Sequence, residues 1–580
     1  MGRDKTTLLR KFHQARWDEE IICEMSVPGE RGILLPRVER EIEDEIGDGV
    51  SRIPENLRRR TPAALPEVSQ VRTLRHFLRL SQETMGADMT VDASEGTCTM
   101  KYSPKVHEQL VGNPGLRDIH PLQDEDTIQG ILEIYFRLEE FLKEISGLDH
   151  FSFQPGGGAQ GVYANACMVR AWHEARGDEK RSEIITTLFS HPCDAASPAT
   201  AGYKVITLMP DESGYPDLEA MKAALSERTA GIFITNPEDT GIYNPRIDEF
   251  VRAAHRVGAL CAYDQANANG ILGITRAREA GFDLCHFNIH KTFSSPHACM
   301  GHSTGAVGVV GELGRFLPVP RVTFAGNKYH LEYDRPDSIG RVRCFFGNAP
   351  TILRAYAWIM QHGADGLREV AECSVLNNNY LLRKLSEIPG VVIQYAQGKR
   401  RLEQVRYSWD KLKQDTGVGT EDVMRRMADF GLQHYWMSHP PWIVPEPFTL
   451  EPCESYSKDD LDEYIAVLRQ ISREAYQDPQ FVKNAPHNSV VHKVPSPGID
   501  EPERIAVTWR QYQTQNRTCP REPERLMEEA HPGARASRPH ALPSRAAQFP
   551  CDVAPGHRDG GNSMGPVIRR PPPRVASLME

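Results

Sequence analysis

No apolar run in this 580-residue sequence approaches the roughly 20 residues needed to cross a bilayer, so an integral membrane protein is not expected. There is no basic stripe with interleaved aromatics, and the net charge is −10. Both exclude a general nucleic-acid binder. The twelve cysteines, from Cys23 to Cys551, form no CxxC pair and no metal-ligand spacing. Neither a disulfide framework nor a metal centre is expected, and the pattern suits free thiols in a reducing, cytoplasmic setting. No internal repeat is visible. Met1 to Glu20 lack an apolar core, so no secretory signal is expected, and their acids weaken a mitochondrial one. Met1-Gly2-Arg3-Asp4-Lys5-Thr6 fits the loose myristoylation pattern, but the charged Arg3 and Asp4 argue against it. What is left is an ordinary soluble composition, long enough for more than one domain and a large core.

The patterning divides the chain into four parts. Residues 1–110 read as an irregular, partly helical arm, with prolines and charges over Ser51 to Val71 and helical spacing over Leu74 to Leu80. Residues 111–344 alternate between two signals. Amphipathic helices are expected over Thr127 to Ile145, Val162 to Arg176, Leu218 to Leu225 and Arg246 to Val257. Short apolar strands are expected at Glu183 to Leu188, Lys204 to Leu208, Gly231 to Thr235, Ala259 to Tyr263 and Leu284 to Ile289. Such alternation predicts an α/β fold with a mostly parallel sheet covered on both faces. Residues 345–512 read as a smaller α+β domain. Its helices are expected over Thr351 to His362, Gly366 to Leu385, Asp422 to Gly431 and Ser457 to Ser472, with a strand over Val391 to Tyr395. Residues 513–580 are rich in Pro, Arg, Gly and Ala. They carry too little apolar surface to offset chain entropy, and disorder is expected there.

Two strand ends carry the chemistry. Asp264 ends one apolar run, in Ala262-Tyr263-Asp264-Gln265-Ala266-Asn267. Lys291 follows another, in His286-Phe287-Asn288-Ile289-His290-Lys291-Thr292-Phe293. Ligands of open α/β sheets bind beyond the carboxyl ends of strands, so both residues are expected to face one crevice. A strand-end lysine followed by Thr and Ser suits a Schiff-base lysine for pyridoxal 5′-phosphate. An upstream Asp suits the partner of the pyridinium nitrogen. A surface lysine and an Asp helix cap account for the same letters. Gln154-Pro155-Gly156-Gly157-Gly158-Ala159-Gln160-Gly161 precedes a helix and can bring backbone N–H groups to a phosphate. Two more small-residue loops, Cys193 to Gly202 and Gly301 to Gly308, follow His191 and Lys291. Three such loops with the Asp and the Lys are more specific than any one of them. His191 can stack on a ring or handle protons, or be a satisfied loop histidine. Asn236 can reach ring substituents, or serve only its turn. His290 adjoins Lys291, and His297 follows in a Ser-Pro-His turn.

These stretches resemble the P-protein of the glycine cleavage system, specifically the separate coenzyme-carrying second subunit. The likeness covers roughly residues 21–510. It rests on Cys98-Thr99-Met100-Lys101-Tyr102, Ile119-His120-Pro121-Leu122-Gln123, and Gln154-Pro155 with Gly158-Ala159-Gln160-Gly161. It continues through Thr235-Asn236-Pro237, Tyr263-Asp264 with Ala266-Asn267, and His290-Lys291-Thr292-Phe293 with Pro296-His297. Asp334-Arg335-Pro336 with Ser338-Ile339-Gly340-Arg341, and Lys483-Asn484-Ala485-Pro486-His487, complete it in the same order and spacing. The resemblance implies the aspartate-aminotransferase fold, called fold type I, and bound pyridoxal phosphate. It implies Lys291 as the Schiff-base lysine, Asp264 as pyridinium partner and His191 as the stacked residue. Gly158, Ala159, Gln160, Asn236, Asn267 and His290 are the further coenzyme-contact candidates. The implied reaction removes CO2 from glycine and passes the aminomethyl group to the lipoyl arm of H-protein, in a heterotetramer with a first subunit.

Departures cluster near the same site. A His-Gly-Thr-Asn-Pro-Ala-Ser pattern reads here His191-Pro192-Cys193-Asp194-Ala195-Ala196-Ser197. A glycine run reads Ala298-Cys299-Met300-Gly301-His302-Ser303-Thr304-Gly305, whose larger side chains are expected to crowd a phosphate or subunit contact. Val162 stands where an acid is usual, Gln265 where a Gly is, and Gln433 to Met437 also differ. Two other readings therefore stay open: a paralogue using the same coenzyme on another amino acid in specialised metabolism, and a catalytically silent partner subunit.

Overall fold

The computed structural model describes residues 9–489 except 11, 18, 34, 62, 64, 85–90, 92, 94–97, 295–302, 396–397, 433–436 and 440–443, together with 508, 509, 512 and 513. The myristoylation-like start, His297 with the glycine-run departure at 298–302, the run 433–436 and nearly all of the tail from 513 lie outside the described residues. The chain divides into two units, Met1–Glu501 and Pro502–Glu580. In the second, Trp509 and Tyr512 stack with ring centroids 5.4 Å apart. Everything below concerns the first.

Its centre is a seven-stranded sheet in the order β1-β7-β6-β5-β4-β2-β3. The strands are β1 (His150–Ser152), β2 (Glu183–Thr187), β3 (Lys204–Leu208), β4 (Thr229–Thr235), β5 (Leu260–Gln265), β6 (Leu284–Asn288) and β7 (Gly305–Val309). The block β3-β2-β4-β5-β6 is parallel; β7 alone runs against its neighbours β6 and β1. Every strand from β4 to β6 is buried along nearly its whole length. This is why they read as continuous apolar runs: helices cover both faces. On one face lies the helix Gly158–Ala175, packed through Val162, Ala166 and Val169. On the other, Gln129–Ser146 and Ile247–Arg256 bury Leu132, Leu138, Phe250 and Val251 against Ile232, Ile234 and Phe287.

A separate core lies in the C-terminal part of this unit. The antiparallel pair β10 (Val405–Ser408) and β11 (Pro447–Leu450) packs against the helices Thr420–Ala428 and Lys458–Gln477. A short hairpin, β8 (Arg321–Ala325) with β9 (Lys328–Glu332), precedes it. The helix Ala349–Leu385 is broken at Gly363, matching the two helices expected. Its first part, from Ile352 to Ala371, packs in the large core, and Leu381 and Leu385 pack in the smaller one.

Three expectations fail locally. The strand expected over Val391 to Tyr395 is only a bridge from Val392 to Ser408, because Gly390 (φ 84°) and Tyr395 (φ 59°) turn the backbone at both ends. The second small-residue run is a helix, Cys193–Thr200, whose small side chains let it approach Gly158–Ala175; Ser197 Oγ donates to Ala159 O at 2.9 Å. The third run contains strand β7, where the ring of Phe151 leaves no room for a side chain on Gly308.

The loop after β4 meets the C-terminal core at Gly241. Leu402 N donates to Gly241 O at 3.0 Å, and Gln404 Nε2 donates to Glu238 O at 2.9 Å. Gly241 has φ 76°, and a Cβ there would overlap the carbonyl oxygen of Gln404. Gly241→Ala combines backbone strain with backbone overlap, and should destabilise the protein by about 2–4 kcal/mol. An unchanged midpoint of denaturant unfolding would contradict this packing.

Candidate active site

Parallel pairing places Thr235 of β4, Asp264 of β5 and His286 of β6 in one lateral row, since Thr235 pairs with Asp264 and Asp264 with His286. Side chains in one such row share a sheet face. Gly161 lies over His286, so this face looks toward the helix Gly158–Ala175. All three strands end here, and Lys291 follows β6 by one turn, with Lys291 N donating to Asn288 O at 3.0 Å. Lys291 and Asp264 are both buried. Asp264 stands at, and Lys291 just past, the carboxyl ends of two paired strands, and Asp264 is among the charges that act on Lys291.

The electrostatics around Lys291 run opposite to simple desolvation. Burial depresses its ammonium, but Cys98, Glu451, Asp264 and Asp239 push it up further, and the net shift is upward. Asp264 Oδ1 accepts from Ala266 N at 2.8 Å and lies 3.2 Å from His286 Nε2; Oδ2 lies 4.0 Å from Cys193 Sγ. Burial pulls the His286 imidazole down.

His191 follows β2, with its backbone N–H donating to Thr235 Oγ1 at 3.1 Å. Its Nδ1 accepts from Cys193 N at 3.1 Å, so the neutral ring carries its proton on Nε2. Burial, then His439 and Lys291, hold this imidazole well below its usual range. Its ring meets His439 edge-on, centroids 4.5 Å apart. A neutral ring suits stacking better than it suits anion binding.

The helix Gly158–Ala175 begins without a side-chain cap, because its N-cap is Gly157. No side chain among the described residues caps this helix start at Gly158, Ala159 and Gln160, and the helix dipole there favours negative charge. A Cβ on Gly158 would come within 2.8 Å of the Asn288 amide, which would have to move. The Arg343 guanidinium borders Gly156. Gln160 braces this loop: its Oε1 accepts from Gly156 N at 2.6 Å and its Nε2 donates to Val342 O at 2.6 Å. Asn288 Oδ1 and Gln265 Oε1, both buried, have no hydrogen-bond partner among the described residues. An amine, a buried carboxylate and an uncapped helix start are the donor set that an aldehyde, a pyridine nitrogen and a phosphate require. The residues present fit a pyridoxal phosphate.

Other expected contacts are committed elsewhere. Asn236 closes its own loop, with Oδ1 accepting from Asn244 N at 2.8 Å and Nδ2 donating to Asn244 O at 3.3 Å. His290 Nδ1 accepts from Thr304 N at 3.2 Å. Asn267 Nδ2 donates to Glu451.

Glu451, just past β11, was not singled out by sequence. It is buried, accepts from Thr99 and Asn267, and its Oε2 has no partner. Burial pushes it up to about 7 against the pull of Thr99 and Lys291. Arg406 of β10 is buried against Asp239 at 3.2 Å. The partners just named lie 167 to 352 positions away in the chain, so no local pattern marks them.

Family models for the glycine dehydrogenase C-terminal domain and for aminotransferase class-V match residues 370–496 and 158–297. A probable glycine dehydrogenase (decarboxylating) subunit 2 from Pyrococcus horikoshii is 43% identical over 503 residues, covering 86% of this chain and 98% of that relative. The protein of the same name from Caldanaerobacter subterraneus subsp. tengcongensis is 40% identical over 475 residues, 82% of this chain and 96% of its own. Among solved structures, an inhibitor-bound glycine decarboxylase (P-protein) of the glycine cleavage system superposes with a TM-score of 0.63 at 19% identity, over 76% of this chain and 99% of that one. A NifS-like protein superposes at 0.51 and 15% identity, over 66% and 98%. At these identities the superpositions establish the fold.

Glu451 gives a sign for the pH dependence of the coenzyme-free protein. Its folded value, about 7, is raised above the ordinary 4.5. The neutral acid is therefore favoured by folding, and that stability is present at low pH and lost as pH rises through about 7. The loss is at most about 3 kcal/mol. Glu451→Gln should flatten the fall in unfolding midpoint between about pH 4.5 and about pH 7. Parallel curves for the two proteins would show that Glu451 does not titrate there.

Proposed function

The chain belongs to the glycine dehydrogenase (decarboxylating) subunit 2 family, and from that premise we propose that it carries out the decarboxylation of glycine as the coenzyme-bearing subunit of a two-subunit P-protein. The family is pyridoxal-phosphate-dependent and of fold type I. When bound, this coenzyme supplies an electron sink for the carbanion left as CO2 departs. The observation that carries the reading is the placement of Lys291, buried beyond β6 among Asp264, Asp239 and Glu451.

The chain's own residues then have distinct tasks. Lys291 Nζ would hold the coenzyme through its aldehyde carbon. The carboxylates around Lys291 favour its protonated form once it is released, so it can hold a proton inside the site. Asp264 keeps a proton on the ring nitrogen. The N–H groups of Gly158, Ala159 and Gln160 take the phosphate, with Arg343 at the loop's edge. His191, neutral, covers a ring face. Asn236, Asn267 and His290 act by fixing the backbone and Glu451 around the coenzyme rather than by touching it. Burial of Lys291, Thr292 and Ser294 excludes water from the reacting atoms.

The aminomethyl group passes to the lipoyl arm of H-protein, and the chain pairs with a first subunit in a heterotetramer. The arm supports a partner of that kind. Its helix Gln70–Gln82 leaves Val71, Leu74, Phe77 and Leu78 each more than half exposed in one stripe. A cytoplasmic location belongs to the same reading. No helix among the described residues is long and apolar enough to cross a membrane, and no described cysteine is in a disulfide.

Exchange of labelled CO2 into the carboxyl group of glycine tests the proposal. The purified chain should catalyse it only with a first subunit and lipoylated H-protein present. Full complementation without exchange, accompanied by a coenzyme spectral change with a different amino acid, would overturn glycine as the substrate.

A further inference from the structure

Asp264 does not stand alone. Asp194, on the helix after His191, is buried beside it, and the ligand-capable atoms of Cys193, Asp194 and Asp264 all lie within 4.8 Å of one another. Two carboxylates this close and this deep cannot both be charged, so one of them must keep a proton.

The surroundings decide which. Asp264 Oδ1 accepts from the N–H of Ala266 at 2.8 Å and lies 3.2 Å from His286 Nε2, and its charge acts on the ammonium of Lys291. Asp194 has one donor, Thr235 Oγ1, at 2.9 Å from Oδ2, while its Oδ1 accepts from nothing. The other titratable groups facing the pair are Asp239 beyond β4, which adds negative charge, and Cys193 on Asp194's own helix. Burial first, and the Asp264 charge second, push Asp194 well above the usual carboxylate range.

We propose that Asp194 is a positioning residue for Asp264: it keeps the proton of the pair and donates it to Asp264 as a hydrogen bond, an acid doing the work of an amide. The resembled sequence pattern has Asn at this place, and a protonated carboxyl matches an amide in shape and in setting a donor atom beside an acceptor oxygen, with one donor hydrogen where the amide has two. The difference is that an amide donates at every pH, whereas Asp194 donates only while protonated. Above its folded value the pair gains a second negative charge, and the hydrogen bond to Asp264 is lost. The consequence for the coenzyme rests on Asp264 as ring-nitrogen partner; the location of the proton does not.

Two arms of one experiment separate these. In the coenzyme-free protein at neutral pH, infrared difference spectra of wild type against Asp194→Asn should show loss of one protonated-carboxyl C=O band. That band should vanish from wild type as pH is raised. Absence of the band at neutral pH would overturn the proposal, whatever the coenzyme does. In the second arm, pyridoxal phosphate affinity is measured for D194N and D194A. D194N should stay within about twofold of wild type at neutral pH, while D194A should weaken binding roughly tenfold or more through loss of the donor to a charged group. Equal effects of the two variants would reduce Asp194 to a packing role. A third variant, Asp264→Asn, should weaken binding on its own. If it does not, while the infrared band is present, the proton pair stands and Asp264 is not the ring partner.

Discussion

Everything in this molecule's site depends on holding one ammonium out of water against buried acids. Lys291 reaches this position because β6 ends at Asn288 and the chain turns at once, leaving the amine beyond the sheet edge. Removing one partner of a buried charge pair typically costs about 3–5 kcal/mol. The surrounding carboxylates are therefore as much a structural requirement as a chemical one. Asp264 comes from β5, Asp239 from the loop after β4 and Glu451 from beyond β11, so the amine ties the sheet to the C-terminal core.

The same arrangement explains the neutral histidines. Lys291 contributes to depressing His191, His286 and His439, the last to about 3, after burial. In a site with a buried cation, histidines are kept uncharged, which suits ring contact rather than anion capture. In the proposed reading the anion-binding task falls instead to the uncapped helix start at Gly158, where backbone N–H groups carry no titratable charge.

Much of this was legible in the sequence. The five expected strands of residues 183–289 stand within two residues of their observed limits; four are buried along nearly their whole length, and β3, at the sheet's edge, is the exception. Asp264 and Lys291 were readable because chemistry at strand ends breaks an apolar run abruptly. The runs of small residues were less legible. Small side chains suit a loop, a closely packed helix or a strand under an aromatic ring, and only the neighbouring Phe151 or Gly158–Ala175 decides between them. Glu451, Asp239 and Arg406 were invisible, since each acquires meaning from a partner far along the chain. The loop substitution at Asp194 was visible as a letter; that it faces a second carboxylate was not.

The account stands or falls on which amine carries the coenzyme. Borohydride reduction of the coenzyme-loaded protein, followed by proteolysis and mass spectrometry, fixes the attachment point directly. The account predicts a single pyridoxyl-modified peptide containing Lys291. A modification confined to any other lysine would contradict it.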